Sequence, residues 1–575
     1  MTTTPKVEGQ DRMTTTPKVE GQDRMTTTPK VSESGRYGFA TPPSVRTASQ
    51  WSLSRVAGPS ALIGANGISF GPDNQLYVAE AYGSEISAVT PESGVVRTVC
   101  RTDDPITCPD DIAFGADGTM YIAEMELGRV SARDSLGGLK VIDSNVPDAN
   151  GITTSGDRLF VGQFRPDGCI FELFPDGRER RLVAEGLQWP NGMSVGTDGR
   201  LYFPSVLAGE IWSVDPDDGG DPHLVVSGLS VPVAVKATPD GNIVTTEAGG
   251  SVLTIDPRTG ATTTLARLAP GLDNCAFGPD GSLFVSNMID GRITQITTQG
   301  ALRDVVQPGF IGPMGLDVSD DGTLYIADAW SYAAVQANGP VERLGTFMDA
   351  GFPGVLRSVA FAEDGSLLMA TTAGTVVKTD PGGGHRTLAT GLGDVVGLAA
   401  TADGAVYVAE SSEGRLVRID RDGVITTVAS GLARPMGVAV AADGSLFVVQ
   451  GDAGIVSRVD GRGVSMVIDG LDDPHGLAVN GSDLYVLARG SRSLHHLSLE
   501  SGASTVIADN LPIGGGAGVT PKVVGGLPPN APGPWTPFND LAASPDGSVF
   551  VGCDGDGSVL RLVRRDDVWA SPRGN

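Results

Sequence analysis

The chain reads as all-β, two tandem six-bladed β-propellers, with a single twelve-bladed ring as the alternative. Three observations predict this. First, a unit of about forty residues recurs twelve times: NGISFGPDNQLYVAE from Asn66, DDIAFGADGTMYIAE from Asp110, VGLAATADGAVYVAE from Val396 and NDLAASPDGSVFVG from Asn539 are four of its copies. Second, most copies place an Asp-Gly pair between two alternating apolar runs, a strong hairpin signal. Third, no segment sustains helical spacing. Four short strands in about 40–45 residues is the size of one propeller blade. Closed propellers carry about four to eight blades, so twelve units divide better as six and six.

The elements follow in order. Residues 1–12, MTTTPKVEGQDR, recur verbatim at 13–24 and by half at 25–30. Polar and without apolar period, residues 1–36 read as a disordered duplicated segment, not a domain. Residues 37–58 read as a linker that ends in a strand. Counting each copy from the start of its first strand, the markers are Asn66, Asp110, Asn150, Asn191, Val233 and Asp273, then Met314, Arg357, Val396, Met436, His475 and Asn539. The steps are 39–44 residues apart from a last one of 64. Blade twelve lacks a fourth strand after SVLRLVRRD, and residues 51–57, WSLSRVA, look like a fourth strand with no blade before them. They are expected to complete blade twelve and remove an exposed edge. The first propeller is then 59–310, the second 311–568, and 569–575 a tail. The long step holds a Gly/Pro-rich insertion at 512–537 with an exposed-looking Trp535, either a lid or a loosely packed loop.

Composition narrows the partners. With 41 Lys and Arg against 68 Asp and Glu, the net charge of −27 argues against nucleic acid and anionic membranes. A small-molecule substrate is expected, and a protein partner stays open. There is no run of 18 apolar residues. Five cysteines (Cys100, Cys108, Cys169, Cys275 and Cys553) are too few for a disulfide framework, although Cys100 and Cys108 are spaced to bridge. Reduced thiols in a cytoplasmic protein are the expectation.

The chemistry is expected where innermost strands begin, around the mouth of each channel. Five of the six first-propeller markers are Asn or Asp, and Asp111 and Asn274 follow two of them. Converging carboxylates and amide carbonyls suit a hard divalent cation: calcium, magnesium or manganese rather than zinc. Asp110, Asp273, Asn150 and Asn191 are the candidate ligands, with Asp110 or Asp273 as general base and Asn66 and Asn150 toward the substrate. The alternative is that Asn and Asp cap the strand starts locally. The second ring is mixed, with Arg357 and His475 as its candidate substrate-binding residues. A second recurring position ends the second strand (Glu80, Glu124, Gln163, Ser205, Glu247, Asn287, Asp328, Glu410). Its presence in both halves points to structural hydrogen bonding, with Glu247 as a spare carboxylate near Val233. No GxSxG elbow supports a Ser-His-Asp hydrolase.

The units PNGMSVGTDGRLYF, ANGITTSGDRLFVG and FNDLAASPDGSVFV resemble the senescence-marker-protein/gluconolactonase (regucalcin-like) propellers, and more loosely the strictosidine-synthase-like and NHL-repeat propellers. The resemblance implies a lactone hydrolase with one divalent ion at the channel mouth. In that family a Glu from the first blade, an Asn from the fourth and an Asp from the fifth hold the ion, and an Asn from the third contacts substrate. Asn191 and Asn150 match the two Asn positions, whereas Asn66 and Val233 stand where the acids are expected. Either the ion site is rebuilt around Asp110 and Asp273, or the activity is altered or lost. Three functions follow: a metal-dependent hydrolase of a small lactone or ester, a non-catalytic binding propeller, and a lyase or cyclase using Arg357 and His475.

Overall fold

The computed structural model describes residues 24–25, 36–39, 44–217, 220–337, 339–346, 354–527, 531–535 and 538–565. Among the described residues, twelve antiparallel sheets of four strands, two of them extended by a short extra strand, recur along the chain. Blades one to six span strands within 68–306, and seven to twelve those within 313–564. The inner strand of blade six, Leu272–Phe277, lies against that of blade one, Ile68–Phe70, and closes the first ring. Blade twelve, through Leu541–Ala543, lies against Pro313–Val318 of blade seven and closes the second. The chain is therefore two six-bladed propellers, not one ring of twelve.

Local chemistry explains the repeat. In the Asp-Gly turns between first and second strands the carboxylate accepts the N–H two residues on, as Asp117 does from Thr119 at 3.0 Å, and the glycine sits at positive φ, 82° at Gly118. At the axis neighbouring inner strands nearly touch. A Cβ at Gly67 would lie 2.3 Å from the Asp111 carboxylate, and one at Gly397 2.4 Å from the Met436 carbonyl. This is why a glycine follows so many markers.

Trp51–Ala57 pairs antiparallel with Ser558–Arg564, Trp51 opposite Arg564 and Leu53 opposite Leu562. Trp51 is buried edge-on to Tyr485, 6.2 Å between centroids, and the Arg564 guanidinium lies over its ring. Two ends of the described chain thus share one blade, and the last sheet has its fourth strand.

The two rings share an apolar core. Tyr82, Met125 and Ile289 of the first pack with Met314, Trp330 and Val355 of the second, and the Tyr82 and Trp330 rings are 5.0 Å apart. Arg36 is buried at this junction, donating to the carbonyls of Phe310, Ile311 and Asp554. It does not belong with a disordered segment, as the reading of residues 1–36 had it. The remainder of that segment, except for 24–25, and the tail 569–575 lie outside the described residues. The insertion crosses to the first propeller: Lys522 donates to the carbonyls of Asp104 and Ile106, and Val524 is buried in the shared core. Val524–Leu527 pairs with Ala531–Trp535, and the Trp535 side chain lies outside the described residues. All five cysteines are unbridged, so Cys100 and Cys108 form no disulfide. Among the described residues no helix is long and apolar enough to cross a membrane.

Candidate functional site

In most blades the segment leading into the inner strand is held by the side chain that ends the second strand. Glu80 accepts from the Ile63 N–H at 2.6 Å, Glu124 from Thr107 at 2.9 Å, Asp328 from Gly312 at 2.7 Å and Glu410 from Gly393 at 2.6 Å. The same clamp works in both rings, which is the structural role read from the repeat. Glu247 belongs to it, accepting from Ser230 at 2.6 Å. It holds the segment before Val233 and is not the spare carboxylate considered above.

These clamps place the first-ring markers around one channel mouth. Asn66, Asp110, Asn150 and Val233 are buried, while Asn191 and Asp273 are half-buried. Burial, then the charges of Asp273 and Asp111, push the Asp110 carboxyl well above the usual range. Burial and Asp111 push Asp273 up to about 7. Asp110 and Asp273 also act on the buried Tyr82 hydroxyl, raised chiefly by its own burial. The amide oxygens of Asn66 and Asn150 are enclosed and have no hydrogen-bond partner. Asn191 differs: its amide oxygen accepts from the Gly192 N–H at 2.7 Å, the local cap that was the rival reading of these residues.

One layer deeper the channel is tied across its axis. Asn274 donates to Asp111 at 3.1 Å, from blade six to blade two, and Asp111 also accepts from Ile112 and Ile152 at 2.9 and 3.1 Å. Burial raises the Asp111 carboxyl, against the opposing pull of Lys236 and these N–H groups. The sequence marked Asp111 and Asn274 only as followers of the markers. A polar residue where most blades have glycine was the signal for a cross-axis tie.

The second mouth is built from charge pairs. Arg357 is fully buried, ion-paired with Asp394 and donating to the Val395 carbonyl at 3.1 Å. The His475 ring stacks on Phe538, 6.1 Å between centroids, and its Nε2 lies 3.4 Å from Asp473. Burial holds His475 below its usual pKa, opposed by Asp473, and its Nδ1 has no partner. Arg434 pairs with Asp473 and Asp452, and Arg489 with Asp554. Arg357 and His475 thus stand around a different channel from Asn66 and Asn150.

Among the described residues no three His, Cys, Asp or Glu side chains are close enough to share a metal ion. The first mouth offers another donor set: the carboxylates of Asp110, raised by burial and by Asp273 and Asp111, and of Asp273, raised by burial and by Asp111, with two uncommitted amide oxygens. All are hard oxygen donors, and the set fits a calcium-, magnesium- or manganese-like ion.

Residues 41–223 match the SMP-30/Gluconolactonase/LRE-like region, and residues 221–496 match the Virginiamycin B lyase family. The two matches meet beside blade four, not at the junction between rings. A gluconolactonase of Zymomonas mobilis subsp. mobilis is 26% identical over 243 residues, 39% of this chain and 60% of that protein, so the match spans less than two thirds of that relative's length. Similar solved structures include a gluconolactonase of Xanthomonas campestris, 17% identical with a TM-score of 0.36, covering 42% of this chain and 88% of that one. A calcium-binding regucalcin of Agrobacterium tumefaciens is 19% identical, with a TM-score of 0.34 and coverage of 40% and 85%. A virginiamycin B lyase of Staphylococcus aureus is 15% identical, with a TM-score of 0.26 and coverage of 44% and 90%. The resemblance read from the repeat motifs is borne out.

Proposed function

We propose, starting from the gluconolactonase-like match of residues 41–223, that the mouth of the first propeller hydrolyses a small lactone or ester. The observation that carries this is the buried Asp110 and half-buried Asp273 beside the unpartnered amide oxygens of Asn66 and Asn150. Asp110 and the uncommitted amide oxygen of Asn150 would hold a divalent ion, which when bound would polarise a carbonyl and acidify water. Asn66 orients the substrate and the attacking water. Asp273, with its carboxyl near neutrality, takes a proton from that water as its oxygen joins the carbonyl carbon. Asp273 then returns that proton to the ring oxygen as the acyl C–O bond breaks.

The test is turnover on a lactone and ester panel. Asp110→Asn with Asp273→Asn is expected to abolish divalent-ion binding by calorimetry and lower kcat/KM by ~10³-fold or more. Arg357→Ala, in the other channel, is expected to change it little. An unchanged double variant would overturn the assignment, and a wild type inert on the whole panel would favour a binding propeller.

A second reading rests on His475. A neutral imidazole oriented by Asp473 through Nε2, with Nδ1 unpartnered, is arranged as a general base, and supports a lyase or cyclase in the second channel with Arg357. Loss of activity in His475→Ala, with Asp110 and Asp273 variants normal, would select it.

A further inference from the structure

In most blades the residue after the second strand stands beside the mouth, its N–H bonded to the carbonyl two residues before a marker, and the set of these positions forms a collar. Met125 donates to Cys108, Val206 to Trp189, Ala248 to Val231 and Met288 to Gly271, at 2.9–3.3 Å. In the first propeller this collar is Ala81, Met125, Phe164, Val206, Ala248 and Met288, apolar in all six blades. In the second it is Ala329, Thr372, Ser411, Gly451, Arg489 and Asp554. One fold, at equivalent positions, therefore surrounds one channel with hydrocarbon and the other largely with polar and charged groups.

The junction between rings explains only part of this. Ala81, Met125 and Met288 pack into the shared core with Trp330. Val206 and Ala248 instead cluster with Trp189 and Val233, residues of the first propeller alone. Phe164 joins both clusters and meets Trp189 edge-on at 5.1 Å. It is half-buried, as are Val231 and Met288, on the side where Asn191 and Asp273 are also half-buried.

We infer that the first channel takes a lactone or ester carrying an apolar arm, and discriminates against polyhydroxylated sugar lactones. This rests on the hydrolase reading of the same mouth. A sugar lactone brings several hydroxyls to a collar whose side chains offer no oxygen or nitrogen, and each hydroxyl desolvated without a partner opposes binding. An alkyl or aryl arm on the same δ-lactone ring would leave water for the Phe164–Trp189 wall, while the Asn and Asp groups at the axis meet the reacting ester.

The experiment uses the full chain, D-glucono-δ-lactone, and δ-lactones bearing no, methyl, propyl and pentyl substituents. kcat/KM is expected to rise about threefold per buried methylene, with the sugar lactone poorest. Phe164→Ser, and separately Met288→Gln, should lower the ratio of pentyl to unsubstituted rates. Hydrolysis with a flat series, or with the sugar lactone best, would overturn the inference and leave the hydrolase reading standing. If no lactone turns over, the hydrolase reading fails, and calorimetry with the matching alkyl δ-lactams decides the collar. Affinity that grows with the alkyl chain and weakens in Phe164→Ser upholds it; affinity independent of the chain overturns it.

Discussion

Asp273 and Asp110 are destabilised by the position that makes them reactive. Burial without a cation keeps both carboxyls protonated to higher pH than in the unfolded chain. The folded state therefore binds more protons, so their contribution is greatest at low pH and, for Asp273, is lost as pH rises from about 4 to about 7. Asp273→Asn should therefore raise the melting temperature at pH 8, in chelator, by several degrees, and change it little at pH 4. Scanning calorimetry at the two pH values checks this; equal shifts at both would mean that the carboxyl is not perturbed. For the wild type, hydrolysis is expected to rise with pH through about 7 as Asp273 becomes able to accept a proton.

At the scale of the element, most blades depend on one clamp, and the last blade on one closed edge. Glu124 is buried, holds Thr107 and pairs with Arg129 at 2.8 Å. Glu124→Ala leaves that N–H without its acceptor and the guanidinium with only the Pro105 carbonyl, and should cost about 2–3 kcal/mol, read by urea titration. The edge is Ser558–Arg564, covered by Trp51–Ala57. Removing residues 1–23 should leave thermal stability unchanged. Removing 1–57 should expose an unpaired strand together with the apolar bed of Trp51, and light scattering on warming should show aggregation. Similar scattering from the two truncations would count against closure by this strand.

The whole molecule is held by a junction as well as by two rings. We propose the divisions 59–310 and 311–568 as its two folding units, coupled through the Tyr82–Trp330 core and Arg36. Arg36 also faces two buried acids. Burial pushes Glu80 up to about 7, and burial with the charge of Glu80 pushes Glu85 up to about 8, while Arg36 draws both down. Arg36→Ala should cost about 3 kcal/mol, because three buried carbonyls lose a donor and the acids lose their cation. It should also split one calorimetric transition into two. As with the aspartates, raised carboxyls mean stability lost as pH climbs, here through about 7 to 8. The splitting should therefore be sharper at pH 8.5 than at pH 6.

Read alone, the chain determined what repeats locally: twelve copies, the Asp-Gly turns, the clamp at the end of most second strands and the identity of every marker. These depend on hydrogen bonds and apolar alternation within one blade, where spacing along the chain is spacing in the structure. Tertiary structure decided how those residues are used. Asn191 caps its own strand while Asn66 and Asn150 keep their amide oxygens uncommitted, a difference that follows from how each inner strand meets its neighbour. Asp111 and Asn274 meet across an axis that exists only when blade six returns to blade one. Arg36, set beside a repetitive polar segment, becomes a buried tie because its partners come from residues 310, 311 and 554. The insertion at 512–527 reads as a loop of the second propeller, yet Lys522 bonds to the first. Burial, charge coupling and cross-ring contacts depend on distances set by ring closure and by the packing of one ring on the other, and neither has a signature in local spacing.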